Sequence, residues 1–282
     1  MRSRLNGSEI LALSLQNEGV KNIFTLVGDH VLPALDVLSD KEFRLIDTRH
    51  EEAAVHMADT WGRVTGEPGV AMYTTPGFAN AIPGLASALH AESPVLSISG
   101  SAELSELGRG AMQEIDQVAM ARPVTKGSWL VTDARRIPDM IARALLVAFS
   151  GRRGPVHLTI PVDVQEQEVY GEEISGHEPR AYTHVTPALA HPDRISEAIN
   201  LLKSAEKPLI IAGSAAAYSG SGEMLQEFIE TTRLPLMTEG DARGIVPDDH
   251  PLCFGFYEHG LNKAARLLKQ ADVVVLLGRK QD

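Results

Sequence analysis

The chain has 282 residues with 37 acidic against 26 basic side chains, a formal net charge of -11. That balance argues against a nucleic-acid partner, which needs Lys and Arg clustered toward phosphates; here the basic residues are scattered, in groups no longer than Arg135-Arg136 or Arg152-Arg153. The one cysteine, Cys253, can form no intrachain disulfide and no stretch reaches the roughly 18 apolar residues of a membrane span, so a soluble, cytoplasmic protein with no membrane contact is expected.

In chain order, residues 1–20 carry two arginines, but Glu9, Gln16, Asn17 and Glu18 interrupt any signal-peptide run. They predict an amphipathic helix, with Ser8 as its cap and Gly19 as its stop. Short apolar runs then alternate with helical patterns: NIFTLVG and VLPALDVLSD, FRLIDT and EEAAVHMADTWGRVTG, GVAMYTT and ANAIPGLASALHAE, then PVLSISG and later GPVHLTIP. Repeated strand–helix alternation predicts an α/β fold with a doubly wound, mostly parallel sheet over residues 1–165. Residues 166–190, rich in Glu, Pro, His and Gly without an apolar period, are expected to be a linker. Alternation resumes over 191–282, where DRISEAINLLKSAE, SGEMLQEFIETTR and LNKAARLLKQ predict helices and KPLIIAG, LPLMTEG and ADVVVLLG predict strands. The last strand has no helix after it to cover it, so this second α/β domain is expected to be incomplete and the chain to be the front of a longer polypeptide.

The carboxyl ends of the strands in such a sheet line a ligand crevice. Glu51, where FRLIDT hands over to a helix, is the leading candidate, and the small Ala53 and Ala54 beside it are expected to leave room for a ligand. Gly28-Asp29-His30, the run from Thr74 to Asn80, and the segment around Gln113 follow other strands, so Glu51, His30, Asn80 and Gln113 are expected to meet.

RHEEAA (49–54), TPGFANA (75–81), MQEIDQVAMARPVTK (112–126) and SGRRGPVHLTIPVDV (150–164) resemble the pyrimidine-binding domain of thiamine diphosphate enzymes of the acetolactate synthase superfamily. The resemblance runs through residues 5–165, and residues 190–282 are similar to the opening of the family's middle domain. Within the family, IDTRHE, FANA and IDQVAMARPVTK are similar to benzaldehyde lyase, and IDQVAMARP also to oxalyl-CoA decarboxylase. The resemblance implies that Glu51 hydrogen-bonds a pyrimidine nitrogen and drives the aminopyrimidine to its imino form. It implies that Gly28, Pro76, Gly77 and Asn80 belong to the cofactor-binding loops, that His30 relays protons to substrate oxygen, and that Gln113 reaches into the neighbouring subunit's site. It further implies a 2-oxo acid or 2-hydroxy ketone substrate and a homodimer or homotetramer. Magnesium would be held by a third domain outside this sequence, no metal ligand is assigned here, and no FAD is expected. Gly240-Asp241-Ala242 is not the family's Gly-Asp-Gly diphosphate motif.

Plainer readings stand beside these. Glu51 and Glu52 both suit the positive end of a helix dipole; Pro76-Gly77 is an ordinary turn dipeptide and Asn80 an ordinary helix cap. His50 and His56 are expected to be structural, and Lys126 a surface charge without a role. The rival to the enzyme is a noncatalytic association subunit or inactive fragment, separated from it by whether a Gly-Asp-Gly motif follows downstream in the coding frame.

Overall fold

Asn6 starts the first helix, where Ser8 was expected to. The structure is a computed structural model that describes residues 4–174, 180, 189–258 and 260–279. The Asn6 side chain accepts from the Glu9 amide at 2.9 Å while Glu9 accepts from the Asn6 amide at 2.8 Å, a capping box at the junction of β1 (Arg4–Asn6) and α1 (Gly7–Asn17). Ser8 instead sits buried inside the helix and donates to the Gln165 carbonyl at 3.0 Å.

The chain forms two units, residues 1–186 and 187–282. In the first, β2 (Asn22–Leu26), α2 (Leu32–Ser39), β3 (Arg44–Asp47), α3 (Glu51–Thr65), β4 (Gly69–Tyr73), α4 (Thr75–His90) and β5 (Val95–Ser101) follow the predicted alternation. Next come α5 (Gln117–Ala121), β6 (Ser128–Leu130), α6 (Ile137–Phe149), β7 (Val156–Pro161), α7 (Val162–Glu166) and β8 (Glu168–Tyr170). Six strands make one parallel sheet in the order β3-β2-β4-β5-β7-β6. Alternate strand residues face opposite cores. Ile23, Met72, Leu96 and Leu158 meet α1, α2 and α6 on one side; Phe24, Ala71, Tyr73 and Val95 meet α3, α4 and α5 on the other. The expected doubly wound α/β fold is thus present.

Three local features differ from the sequence reading. Helix α6 was not anticipated, although Ile137, Met140, Ile141, Ala144, Leu145 and Ala148 stand at helical spacing and are all buried. Of the segment 166–190 expected as a linker, residues 175–179 and 181–188 lie outside the described residues; near its start β8 pairs antiparallel with β1, Leu5 opposite Val169, and Val169 enters the core. One buried residue in a three-residue strand is too little periodicity to stand out from a Glu-rich segment. Lys126 is half-buried, and its ammonium donates to the carbonyls of Val147 and, at 2.7 Å, Ser150, closing the end of α6; burial holds its pKa below the usual lysine value.

The second unit contains α8 (Pro192–Ser204), β9 (Pro208–Ala212), α9 (Ser214–Tyr218), α10 (Gly222–Thr232), β10 (Leu236–Thr238), β11 (Cys253–Phe256) and β12 (Val273–Leu277). Its four strands are parallel, in the order β11-β10-β9-β12. Lys263–Lys269, expected to be α-helical, winds as a 3-10 helix after the Asn262 cap, and Gly213 stands at the N-cap of α9. Among the described residues no helix is long and apolar enough to cross a membrane.

Candidate functional site

From β2 the chain passes to β3 on one side and then returns to β4 on the other, so the crossovers diverge between β2 and β4. Such a switch point opens a crevice beyond the carboxyl ends of the strands. Leu26 pairs with Tyr73 there, and the chain beyond them supplies Gly28–His30 on one side and Thr74-Thr75 on the other.

His30 lies in a 3-10 turn over Asp29–Val31 whose N-cap is Gly28, and it is 4% exposed. Its Nδ1 is 3.0 Å from Thr74 Oγ1 and 3.1 Å from Thr75 Oγ1, its backbone amide donates to Thr74 Oγ1 at 3.3 Å, and its carbonyl accepts from Gln165 Nε2 at 2.8 Å. The turn presses on the end of β5: a Cβ at Gly100 would stand 1.8 Å from the His30 carbonyl oxygen, so only glycine fits there.

Glu51 is the first residue of α3 and is 7% exposed. His50 caps this helix, its Nδ1 accepting from the Glu52 amide at 3.3 Å, and His56 lies 3.5 Å from the Glu52 carboxylate on the exposed face. Glu51 Oε2 accepts from Asn80 Nδ2 at 3.0 Å, while Oε1 has no hydrogen-bond partner among the described residues. A Cβ on Gly77 would come within 2.4 Å of Oε1. Room beside the acid therefore comes from this glycine; of the alanines expected to provide it, Ala54 is packed in the core and Ala53 faces outward.

The segment expected as a loop around Pro76-Gly77 is the first turn of α4, with Pro76 exposed near its start, where a missing N–H costs nothing. Asn80 lies inside this helix and is no cap, since the chain turns helical already at Thr75. One helix start thus serves both groups: Thr74 and Thr75 reach His30, and Gly77 and Asn80 reach Glu51.

Gln113 does not join them within this chain. It is exposed, at φ +60°, in a loop drawn onto itself because the Glu114 carboxylate accepts from the amides of Gly108 and, at 3.2 Å, Ala111. The residue that does reach the site from this segment is Gln117, at the start of α5 and 2% exposed. Its Nε2 donates to the Gly100 carbonyl at 2.9 Å, and its buried Oε1 has no partner among the described residues. A glutamine opening a short helix before an apolar run was the only signal for it, and a weak one.

Beneath the first turn of α4 lies a buried polar network in the sheet. His157 is fully buried, its Nδ1 2.9 Å from Ser97 Oγ and its Nε2 3.0 Å from Thr159 Oγ1 and 3.3 Å from Ser99 Oγ. Ser97 also bonds the Tyr73 hydroxyl, and the Phe78 ring lies 4.2 Å from the His157 ring between centroids. Burial pushes the His157 pKa down to about 3 and raises that of Tyr73 well above its ordinary value, so both are neutral in the fold. Among the described residues no group of three or more His, Cys, Asp or Glu side chains is placed to hold a metal ion.

Residues 5–120 match the family description "Thiamine pyrophosphate enzyme, N-terminal TPP binding domain", and residues 195–282 match "Thiamine pyrophosphate enzyme, central domain". A probable acetolactate synthase large subunit of Methanocaldococcus jannaschii is 34% identical over 97% of this chain and 47% of its own length. The acetolactate synthase isozyme 3 large subunit of Escherichia coli is 35% identical over 99% of this chain and 49% of its own. A bovine 2-hydroxyacyl-CoA lyase 2 is 34% identical over 98% and 48%. The chain spans about half the length of the curated relatives it matches. With both matches in the family's order on the two units just described, the chain belongs to the thiamine pyrophosphate enzymes and carries their N-terminal and central domains.

Proposed function

We propose that this chain forms the pyrimidine-binding and middle domains of a thiamine diphosphate-dependent enzyme that makes or breaks a carbon–carbon bond next to a carbonyl, acting on a 2-oxo acid or a 2-hydroxy ketone. The observation that carries the reading is Glu51: a nearly buried carboxyl with one oxygen held by Asn80 and the other unpartnered beside a glycine. The residues fit the pyrimidine end of the cofactor, because a ring nitrogen needs one carboxyl oxygen in a slot that backbone, not a side chain, borders.

When bound, the cofactor supplies a carbanion at C2 of its thiazolium ring and stabilises the charge that develops beside a carbonyl. The work left to this chain is holding and moving protons. Glu51 Oε1 would hold a proton toward a ring nitrogen, and the neutral Asn80 amide orients the carboxyl without ion-pairing it. His30, fixed at its Nδ1 edge, relays a proton to or from substrate oxygen. Gly28, Pro76 and Gly77 would border the ring, over a buried Phe78 that packs on His157. Gln113 serves a second subunit of a homodimer or homotetramer; its exposure and that of Met57 and Val64 on α3, 41% and 79%, support an association surface. Magnesium belongs to the diphosphate end, no flavin is required, and the lone cysteine fits a cytoplasmic setting.

The test is Glu51→Gln in a polypeptide that includes the diphosphate-binding domain. C2 proton exchange of bound thiamine diphosphate, followed by NMR, is expected to fall by about 10²–10⁴-fold, the usual worth of a positioned acid or base, with the unfolding midpoint retained. Wild-type exchange in that variant removes Glu51 from the chemistry.

A further inference from the structure

The hydrogen bonds around His30 bear on which of its ring nitrogens carries the proton. Thr75 Oγ1 lies 3.1 Å from the Gly100 carbonyl oxygen and 3.1 Å from His30 Nδ1. A carbonyl only accepts, so the single hydroxyl proton of Thr75 goes to Gly100, and the hydroxyl oxygen turns a lone pair toward Nδ1. Thr74 Oγ1, 3.0 Å from the same nitrogen, accepts the His30 backbone amide at 3.3 Å and keeps its own hydroxyl proton, so it can accept or donate at Nδ1. Of the two hydroxyls, it is Thr75 that is committed to accepting there.

The Gly100 carbonyl is itself held in place. Gln117 Nε2 donates to it at 2.9 Å, filling its second lone pair, and the missing Cβ at residue 100 lets the His30 turn lie directly against it. His30, Thr75, Gly100 and Gln117 are buried and Thr74 is half-buried, so water competes little for the Thr75 and Gly100 bonds.

The geometry points to Thr75 as a positioning residue, backed by Gln117 through Gly100, that holds neutral His30 as the Nδ1–H tautomer and leaves Nε2 as the proton acceptor. This rests on the reading of His30 as a relay and sets its direction: at rest the ring takes a proton at Nε2 and becomes a donor only afterwards. The imidazolium formed keeps its Nδ1–H bonds to the same hydroxyls, so no reorientation is needed between the two transfers.

The experiment is a long-range ¹H–¹⁵N correlation spectrum of the chain labelled at histidine nitrogen, recorded in mild alkali where histidine is neutral, with His30 assigned by the signals lost in His30→Asn. In the wild type, His30 is expected to show a protonated Nδ1 and a lone-pair Nε2. Thr75→Val is expected to lose this single pattern and give a mixture of tautomers, and Thr75→Ser to restore it, with the other histidine signals unmoved. A wild-type His30 with its proton on Nε2, or an unchanged pattern in Thr75→Val, overturns the assignment. The wild-type spectrum decides even where Thr75→Val fails to fold. Because the chain is read without cofactor, failure here leaves the Glu51 test standing, and failure of that test leaves this tautomer measurable.

Discussion

At the scale of single residues, Glu51 was legible because a carboxylate at a strand–helix boundary is a local pattern. Its partners were not: Asn80 is 29 positions away and meets it only because α3 and α4 pack side by side. Gly77→Ala puts a methyl group 2.4 Å from Oε1. It is expected to displace the carboxyl and destabilise the unit by about 1–3 kcal/mol, as overpacking does, read as a shift in urea midpoint. Asn80→Leu strips Glu51 of its described donor and is expected to lower stability at neutral pH by about 1–3 kcal/mol. An unchanged midpoint would mean that solvent reaches both carboxyl oxygens.

At the scale of elements, the start of α4 is the organiser, and it rests on a polar rather than an apolar stretch of sheet. Parallel strands covered on both faces are usually near-continuously apolar, yet Ser97, Ser99, His157 and Thr159 sit under Phe78. The chain's alternation in GPVHLTIP hinted at this, but which hydroxyls satisfy His157 depends on the register that sets Ser97 opposite His157. With a folded pKa of about 3 against 6.5 for the free side chain, His157 takes up a proton on unfolding throughout that interval. Its contribution is complete above pH 6.5 and is lost as pH falls toward 3, by up to about 1.4 kcal/mol per pH unit. His157→Leu is expected to be less stable near neutrality, because it orphans buried hydroxyls, but to lose stability less steeply on acidification. Denaturant melts between those pH values measure both slopes, and equal slopes would show that His157 does not titrate with unfolding. At the first helix, Asn6→Ala is expected to cost about 1 kcal/mol, since it opens the capping box.

At the scale of the whole molecule, the described contacts address only the pyrimidine end of the proposed cofactor. Thiamine diphosphate is therefore expected to bind the 282-residue chain at least about tenfold more weakly than a polypeptide that adds a diphosphate-binding domain, a difference of about 1.4 kcal/mol or more by calorimetric titration. Equal affinity would mean that these two units hold the entire cofactor. The sequence by itself determined the strand–helix alternation from β2 to β5, the doubly wound sheet and the acid at the end of β3, because apolar period and turn chemistry act over neighbouring residues. Tertiary structure alone decided that Thr75 serves His30 from 45 positions away, that Gln117 meets Gly100 beside His30 within the same chain, and that Lys126 closes a helix end. Each of those contacts is set by sheet order and by the packing of elements distant along the chain, and no local pattern encodes either.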